Sequence, residues 1–287
     1  LLSHQREEGK GYKYINPYQK TEVLLKDVIL KHGEMSGDIS LLSEKEKGKK
    51  LICFYSPCGG SGKTTLAAAL AERLSQEGKN VFYLNLDIFS GTNKLFSEYE
   101  KGGFSEVLLA LKQNARNQFF VAAAKNIKRS KISHVQYFSD LENPCDLEDV
   151  KEDELERLLT QMMQMKEIDI VIADVESALT FRTKKVLEHS DLVFMPVHDC
   201  PLCRNKLDGM MEAAKGSVLL ESALKKGIWV VNKSGKYSKL AESLGENCLE
   251  VPELAAVKEA QKIDQIGAIM RSAVKDLCAR VLEGCEE

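Results

Sequence analysis

Five side chains are of a type and position to do chemistry together: Lys63, Thr64, Asp87, Asp174 and Asn232. Lys63 and Thr64 close the run Cys58-Gly59-Gly60-Ser61-Gly62-Lys63-Thr64-Thr65. Glycines at 59, 60 and 62 let backbone N–H groups approach an anion. The helix that opens at Lys63 adds partial positive charge, and Lys63 itself adds a full one. Thr64 is placed to offer its hydroxyl to a phosphate-bound Mg²⁺. Pro57 stands where the strict G-x-x-x-x-G-K-[ST] pattern needs its first glycine, so the shifted form x-G-G-x-G-K-T-T is the one that fits. A tight strand-to-helix turn with no ligand is the plainer alternative.

Carboxylates and an amide stand where strands should end. In an open α/β sheet, ligands sit beyond the carboxyl ends of the strands. Asp87 follows the apolar run 81–86, Asp174 ends 168–174, and Asn232 follows 227–231. Asp174 suits a carboxylate that holds Mg²⁺, usually through water; the alternative is a helix N-cap or turn. Asp87 suits a group that orients an attacking water beside a terminal phosphate, or a turn residue. Asn232 suits a hydrogen bond to a base edge, or a structural role.

The elements that must position these groups are legible from periodicity. The apolar run 51–55 leads into the glycine loop. Leu66, Leu70 and Leu74 then share one helical face, and alanines at 67, 68, 69 and 71 let it sit close. From residue 51 strands and helices alternate, which predicts an α/β domain: three layers, with a mostly parallel central sheet and helices on both faces. Residues 104–128 read as helical, 134–138 as a strand, and Leu155, Leu158, Leu159, Met162 and Met163 as one face of a helix. Residues 191–197 and 227–231 read as strands. Residues 262–284 read as one core-packing helix; a membrane-surface helix is the alternative. Before the domain, residues 1–34 read as an appendage (a strand at 12–15, then a helix near 18–31), and 35–50 as a charged linker.

Composition narrows the class. The chain has 287 residues, 44% hydrophobic and 29% charged, with a net charge of −3. That balance gives no global pull toward nucleic acid or anionic lipid. No apolar run approaches the roughly 20 residues that span a bilayer, and the N-terminus does not read as a signal peptide. Eight cysteines in scattered apolar surroundings read as reduced, buried thiols of a cytoplasmic protein. Cys200-Pro201-Leu202-Cys203 supplies two ligands where a cluster or zinc needs four, so symmetry or His198 would have to help, and reduced thiols are favoured over a metal site or redox pair. Lys225, Lys226, Lys233, Lys236 and Lys239 read as a solvated surface, with a DNA-facing stripe as the alternative.

Together these motifs resemble the deviant Walker ATPases of the MinD/ParA family, within the SIMIBI class of P-loop NTPases, over about residues 51–285. The family loop K-G-G-x-G-K-T-T corresponds to Cys58–Thr65, and the second-strand D-x-D to Asn85-Leu86-Asp87, its first acid lost. The resemblance implies ATP or ADP with Mg²⁺ as cofactors and residues 59–65 on the phosphates. It implies Thr64 and Asp174 on the metal, Lys63 and Asp87 in catalysis, Asn232 on the base, with Pro252 nearby, and a homodimer. Within the family the chain is similar to the TadZ/CpaE branch, in Ser56-Pro57 and in a Tyr12–Tyr14 segment like the tail of a receiver-like domain. That branch implies recruitment to a cell pole and contacts with pilus or secretion assembly proteins. A ParA-like partition ATPase with nucleotide-dependent DNA or membrane binding is the alternative, and a metal-cluster carrier a third. One departure carries weight: the family's loop lysine reaches a dimer partner's phosphates, and Cys58 has no charge to do so. Weak hydrolysis is the expectation, with Arg182, Lys184 or Arg204 as substitutes for the missing cation.

Overall fold

The computed structural model describes residues 15–43, 48–96, 101–113, 115–234, 238–259 and 263–283. Eight strands form one sheet: β1 Lys50–Phe54, β2 Val81–Asn85, β3 Ile127–Arg129, β4 Gln136–Phe138, β5 Ile170–Asp174, β6 Leu192–Val197, β7 Gly227–Ser234 and β8 Cys248–Pro252. Their spatial order is β3-β4-β2-β5-β1-β6-β7-β8. All pairs are parallel except β3 with β4. β1 therefore lies inside the sheet, between β5 and β6, and the chain leaves it toward the carboxyl edge.

Both faces of the sheet are covered, which explains why its central strands are continuous apolar runs. Along β1, Leu51 and Cys53 face one core and Ile52 and Phe54 the other. The first core is closed by the helices Gly103–Lys112, Arg116–Asn126, Glu152–Met163, Phe181–His189 and Pro201–Ala214. The second is closed by the helix Lys63–Gln76, whose alanines 67, 68, 69 and 71 are all buried, and by C-terminal residues Met270, Val274, Leu277 and Val281.

The three-layer architecture is as the sequence predicts, and several details differ. Residues 104–128 hold two helices, Gly103–Lys112 and Arg116–Asn126, and then β3, which turns back antiparallel on β4. The single helix expected over 262–284 is two, Ile263–Met270 and Lys275–Glu283. Neither break carries Gly or Pro, so periodicity ran across both. The second pair still buries the predicted apolar face in the core. Before the sheet, the helix Thr21–Ser36 docks on the helix Arg116–Asn126, with Leu30 in the first core and Gly33 close under Val121. The strand expected at 12–15 lies, but for Ile15, outside the described residues. So do residues 44–47 of the expected linker, in which Ser43 bridges Met165 and Lys49 donates to the Met165 carbonyl at 2.6 Å. No helix among the described residues is long and apolar enough to cross a membrane.

Candidate functional site

The loop after β1 is shaped by two residues in the left-handed region, Gly60 at φ 69° and Gly62 at φ 94°. A Cβ on Gly62 would run into the Asn232 amide nitrogen. Gly62→Ala is therefore expected to cost about 1–3 kcal/mol, from backbone strain and overlap together. Denaturant unfolding measures this directly. Around Gly59 and Gly60 a Cβ would meet nothing within 4 Å, so the backbone there stays open to an approaching group.

β5 delivers Asp174 beside the loop, in register with Phe54 of β1 and Asn85 of β2. The carboxylate is buried and accepts the Tyr83 hydroxyl at 2.7 Å and a hydrogen bond from Thr64. Burial raises its pKa; the Thr64 and Tyr83 hydrogen bonds and the Lys63 charge oppose that rise. Burial likewise lowers the pKa of Lys63, against Asp174 and Asp87. Both charges are short of solvation, so each gains from a further opposite charge. Lys63 Nζ meanwhile donates to Ser177 Oγ at 2.7 Å. Asp87 sits half-buried past the end of β2, its N–H donating to Asn85 Oδ1 at 2.8 Å. The lost first acid is thus replaced by the acceptor of a local turn.

From the other side come β6 and β7. Asn232 ends the buried part of β7; its amide donates to the Ser61 carbonyl at 2.8 Å and accepts from the Lys233 N–H at 2.9 Å. One amide hydrogen and one lone pair remain for another partner. His198, just past β6, sets its ring between two carbonyls, Gly60 at 2.6 Å and Asn232 at 3.3 Å. Neither His198 nor Tyr83 is marked by a phosphate-loop motif, so their places here come from the fold. A cavity of about 380 Å³ opens beside the loop, lined by residues 60–65 and by Asn232, Lys233, Pro252, Leu254, Val257 and Met270, with Glu253. This is within the size range of small-molecule sites, roughly 300–1,000 Å³.

Lys63, Thr64, Asp87 and Asp174 thus meet at one end of the sheet, and Asn232 meets the loop from the far side. The donors present fit a nucleotide with Mg²⁺. Buried Ser61 Oγ has no partner among the described residues. The loop holds space over Gly59 and Gly60, and Thr64 with Asp174 makes the hard oxygen set that Mg²⁺ takes.

One expectation is corrected. Cys58 is not a reduced thiol: it forms a disulfide with Cys203, Cα–Cα 5.7 Å, and both residues are buried. The loop passes directly over the first turn of the helix Pro201–Ala214, a contact that 145 intervening residues hide from the sequence. The bond also takes up one thiol of the 200–203 pair. Of the cations expected as substitutes for a loop lysine, the two arginines are paired within the chain. Arg182 is buried against Glu176 at 3.0 Å, and Arg204 is engaged by Asp199. Lys184 is exposed. Of the basic positions, Lys225, Lys233 and Lys239 are exposed, Lys225 pairing with Glu221 and Lys233 lining the cavity, while Lys226 caps the carbonyls of Glu188 and Ser190. Lys236 lies outside the described residues.

A family model described as an AAA domain matches residues 49–216, more than half of the chain, from β1 through the helix Pro201–Ala214. The chain belongs to that AAA domain family. No curated protein matches it. Solved structures share the fold of this AAA domain protein at low identity. A ParA family ATPase from Chlorobium tepidum TLS is 13% identical with TM-score 0.63, covering 83% of this chain and 98% of its own. A putative plasmid partition protein from Borrelia burgdorferi B31, bound to AMPPNP, is 19% identical with TM-score 0.59, covering 82% and 97%. The septum site-determining protein MinD from Pyrococcus horikoshii OT3, complexed with Mg-ADP, is 14% identical with TM-score 0.56, covering 81% and 96%. The AAA domain match shows the family, and the likeness to these ParA, plasmid partition and MinD structures shows a shared fold, two of them holding a nucleotide.

Proposed function

We propose that this protein is an ATP-binding switch of the MinD/ParA type that hydrolyses ATP slowly and acts by positioning other proteins. The observation that carries the reading is the meeting of Lys63, Thr64 and Asp174 over one glycine loop beside a cavity of about 380 Å³. In this reading the amides of Gly59–Thr65 and the Lys63 ammonium hold the phosphates, and Thr64 and Asp174 hold Mg²⁺. When bound, Mg²⁺ supplies charge neutralisation between phosphate oxygens. Tyr83 keeps the Asp174 carboxylate aimed, Asp87 orients a water, and Asn232 and Pro252 flank the base.

Slow hydrolysis follows from charge. Cationic clamps on a transferring phosphoryl group contribute roughly 10²–10³ in rate. Cys58 has no charge and points into the fold, and Arg182 is committed to Glu176. Nucleotide would then act through binding free energy, favouring one conformation or a homodimer. Residues 51–287 form the ATPase unit and 1–34 its appendage in this proposal. The resemblance to the TadZ/CpaE branch makes pilus or secretion assembly proteins at a cell pole the proposed partners. The test is steady-state turnover by the purified chain. It should stay below about 10⁻² s⁻¹, the range of unassisted switch NTPases; faster turnover without a partner contradicts the reading of Cys58. Binding to DNA or anionic vesicles that needs ATP and fades with salt would instead favour the partition alternative.

A further inference from the structure

We propose that Cys58, Cys203 and Cys200 form a thiol–disulfide exchange site that reversibly clamps the phosphate loop, with low-molecular-weight thiols and disulfides as its substrates. Its effect on nucleotide rests on the function proposed above; the exchange itself does not.

The clamp is placed by the fold. Cys58 lies in the loop two residues before Gly60 and Cys203 in the first turn of the helix Pro201–Ala214, with their Cα atoms 5.7 Å apart and joined. Both are 3% exposed, so a reductant in solution has no direct line to the bond. Cys200 caps the same helix three residues ahead of Cys203 and is half-buried, hence open to solvent on one side. Cys200 at the N-cap and Cys203 at the third helical position are side-chain neighbours, the spacing of a capping box. Cys200 is therefore the entry point to a bond that is itself shut in. Burial raises the pKa of Cys53, Cys248 and Cys278, which keeps those thiols protonated and out of the exchange.

Opening runs by ordinary exchange. The Cys200 thiolate attacks Cys203 Sγ, the Cys200–Cys203 bond forms, the Cys58–Cys203 bond breaks, and Cys58 leaves as thiolate and takes up a proton. An external thiolate such as glutathione then attacks Cys200 Sγ, forming a Cys200–glutathione mixed disulfide and freeing Cys203, and a second glutathione attacks the glutathione sulfur of that bond, freeing the Cys200 thiol and departing as glutathione disulfide. Two protein thiols are gained and two glutathione thiols oxidised. Closure is the reverse, with glutathione disulfide as the oxidant.

The closed clamp leaves the cavity beside residues 60–65 open, so it is compatible with ligand. It fixes the loop ahead of binding, and a loop ordered beforehand binds with less entropic loss. Opening the clamp should weaken Mg-ATP binding about tenfold.

The experiment uses the full chain, equilibrated with glutathione disulfide or with reduced glutathione, alkylated while folded, and digested for disulfide mapping. The expected result is a 58–203 link in the oxidised sample and a 200–203 link during partial reduction. Cys200→Ser should slow reduction of the 58–203 bond at least tenfold in the folded protein and leave it unchanged in denaturant. Alkylated Cys58 after full oxidation, or a Cys200→Ser chain reduced as fast as the parent, overturns the proposal. Mg-ATP affinity equal in both redox states overturns the effect on nucleotide. If neither state binds nucleotide, the proposed function fails, and the linkage map alone supports or overturns the clamp.

Discussion

Lys63→Ala is expected to weaken Mg-ATP binding by about 100- to 1,000-fold while leaving the fold intact. The ammonium donates a hydrogen bond to Ser177 Oγ at 2.7 Å and feels the attracting charges of Asp174 and Asp87. That bond is exchangeable: a phosphate oxygen is the stronger acceptor because it carries charge. Without ligand the ammonium is under-solvated, so its removal forfeits little stability. The sign of the pH dependence follows. Burial holds the folded pKa of Lys63 below its ordinary value, so between the two the unfolded chain binds more protons and stability rises with pH. Lys63→Ala removes that rise. Titration calorimetry gives the affinity, and thermal melts across the alkaline range give the second signature.

The second large effect is at Asp174, and it has two opposite parts. Asp174→Asn should abolish the Mg²⁺ dependence of nucleotide binding, a loss of about 100-fold in affinity at saturating Mg²⁺, because an amide is a poor ligand for a hard cation. The same change should raise the melting temperature of the ligand-free protein by several degrees at neutral pH. Burial raises the folded pKa of Asp174 above its ordinary carboxylate value. In the window from that ordinary value up to the folded one, the native protein binds more protons than the unfolded chain. Stability therefore falls as pH rises through the window, and the ionised carboxylate is a net cost at neutral pH. Asparagine keeps an acceptor for Tyr83 and has no such cost. Functional sites commonly carry destabilising groups of this kind. Melting curves with and without Mg-ATP separate the two parts, since at equal ligand the parent should gain far more than the variant.

Much of this site is legible in the sequence because its parts are local. The loop advertises itself by glycine spacing between an apolar strand and an alanine-rich helix. Buried parallel strands read as unbroken apolar runs, so Asp174 stands out as the polar residue ending one. What stays hidden depends on contacts distant in sequence or on breaks without punctuation. The Cys58–Cys203 bond spans 145 residues. Tyr83 reads as an ordinary core aromatic, since only the packing of β2 on β5 brings its hydroxyl to Asp174. His198 reads from the sequence only as a neighbour of the 200–203 cysteine pair, and its place against Gly60 follows from β6 lying next to β1. β3 is three residues long and two of them are charged, too short for alternation to register.

The central claim is that open main-chain amides, one ammonium and one hydroxyl–carboxylate pair grip a nucleotide together with its metal. Isothermal titration of the purified full chain with ATP, in Mg²⁺ and again in chelator, tests it most directly. The expected result is one site per chain with a dissociation constant near micromolar, about −8 kcal/mol, weakened at least tenfold when Mg²⁺ is withdrawn. No binding of ATP or ADP at millimolar concentration with Mg²⁺ present would contradict it.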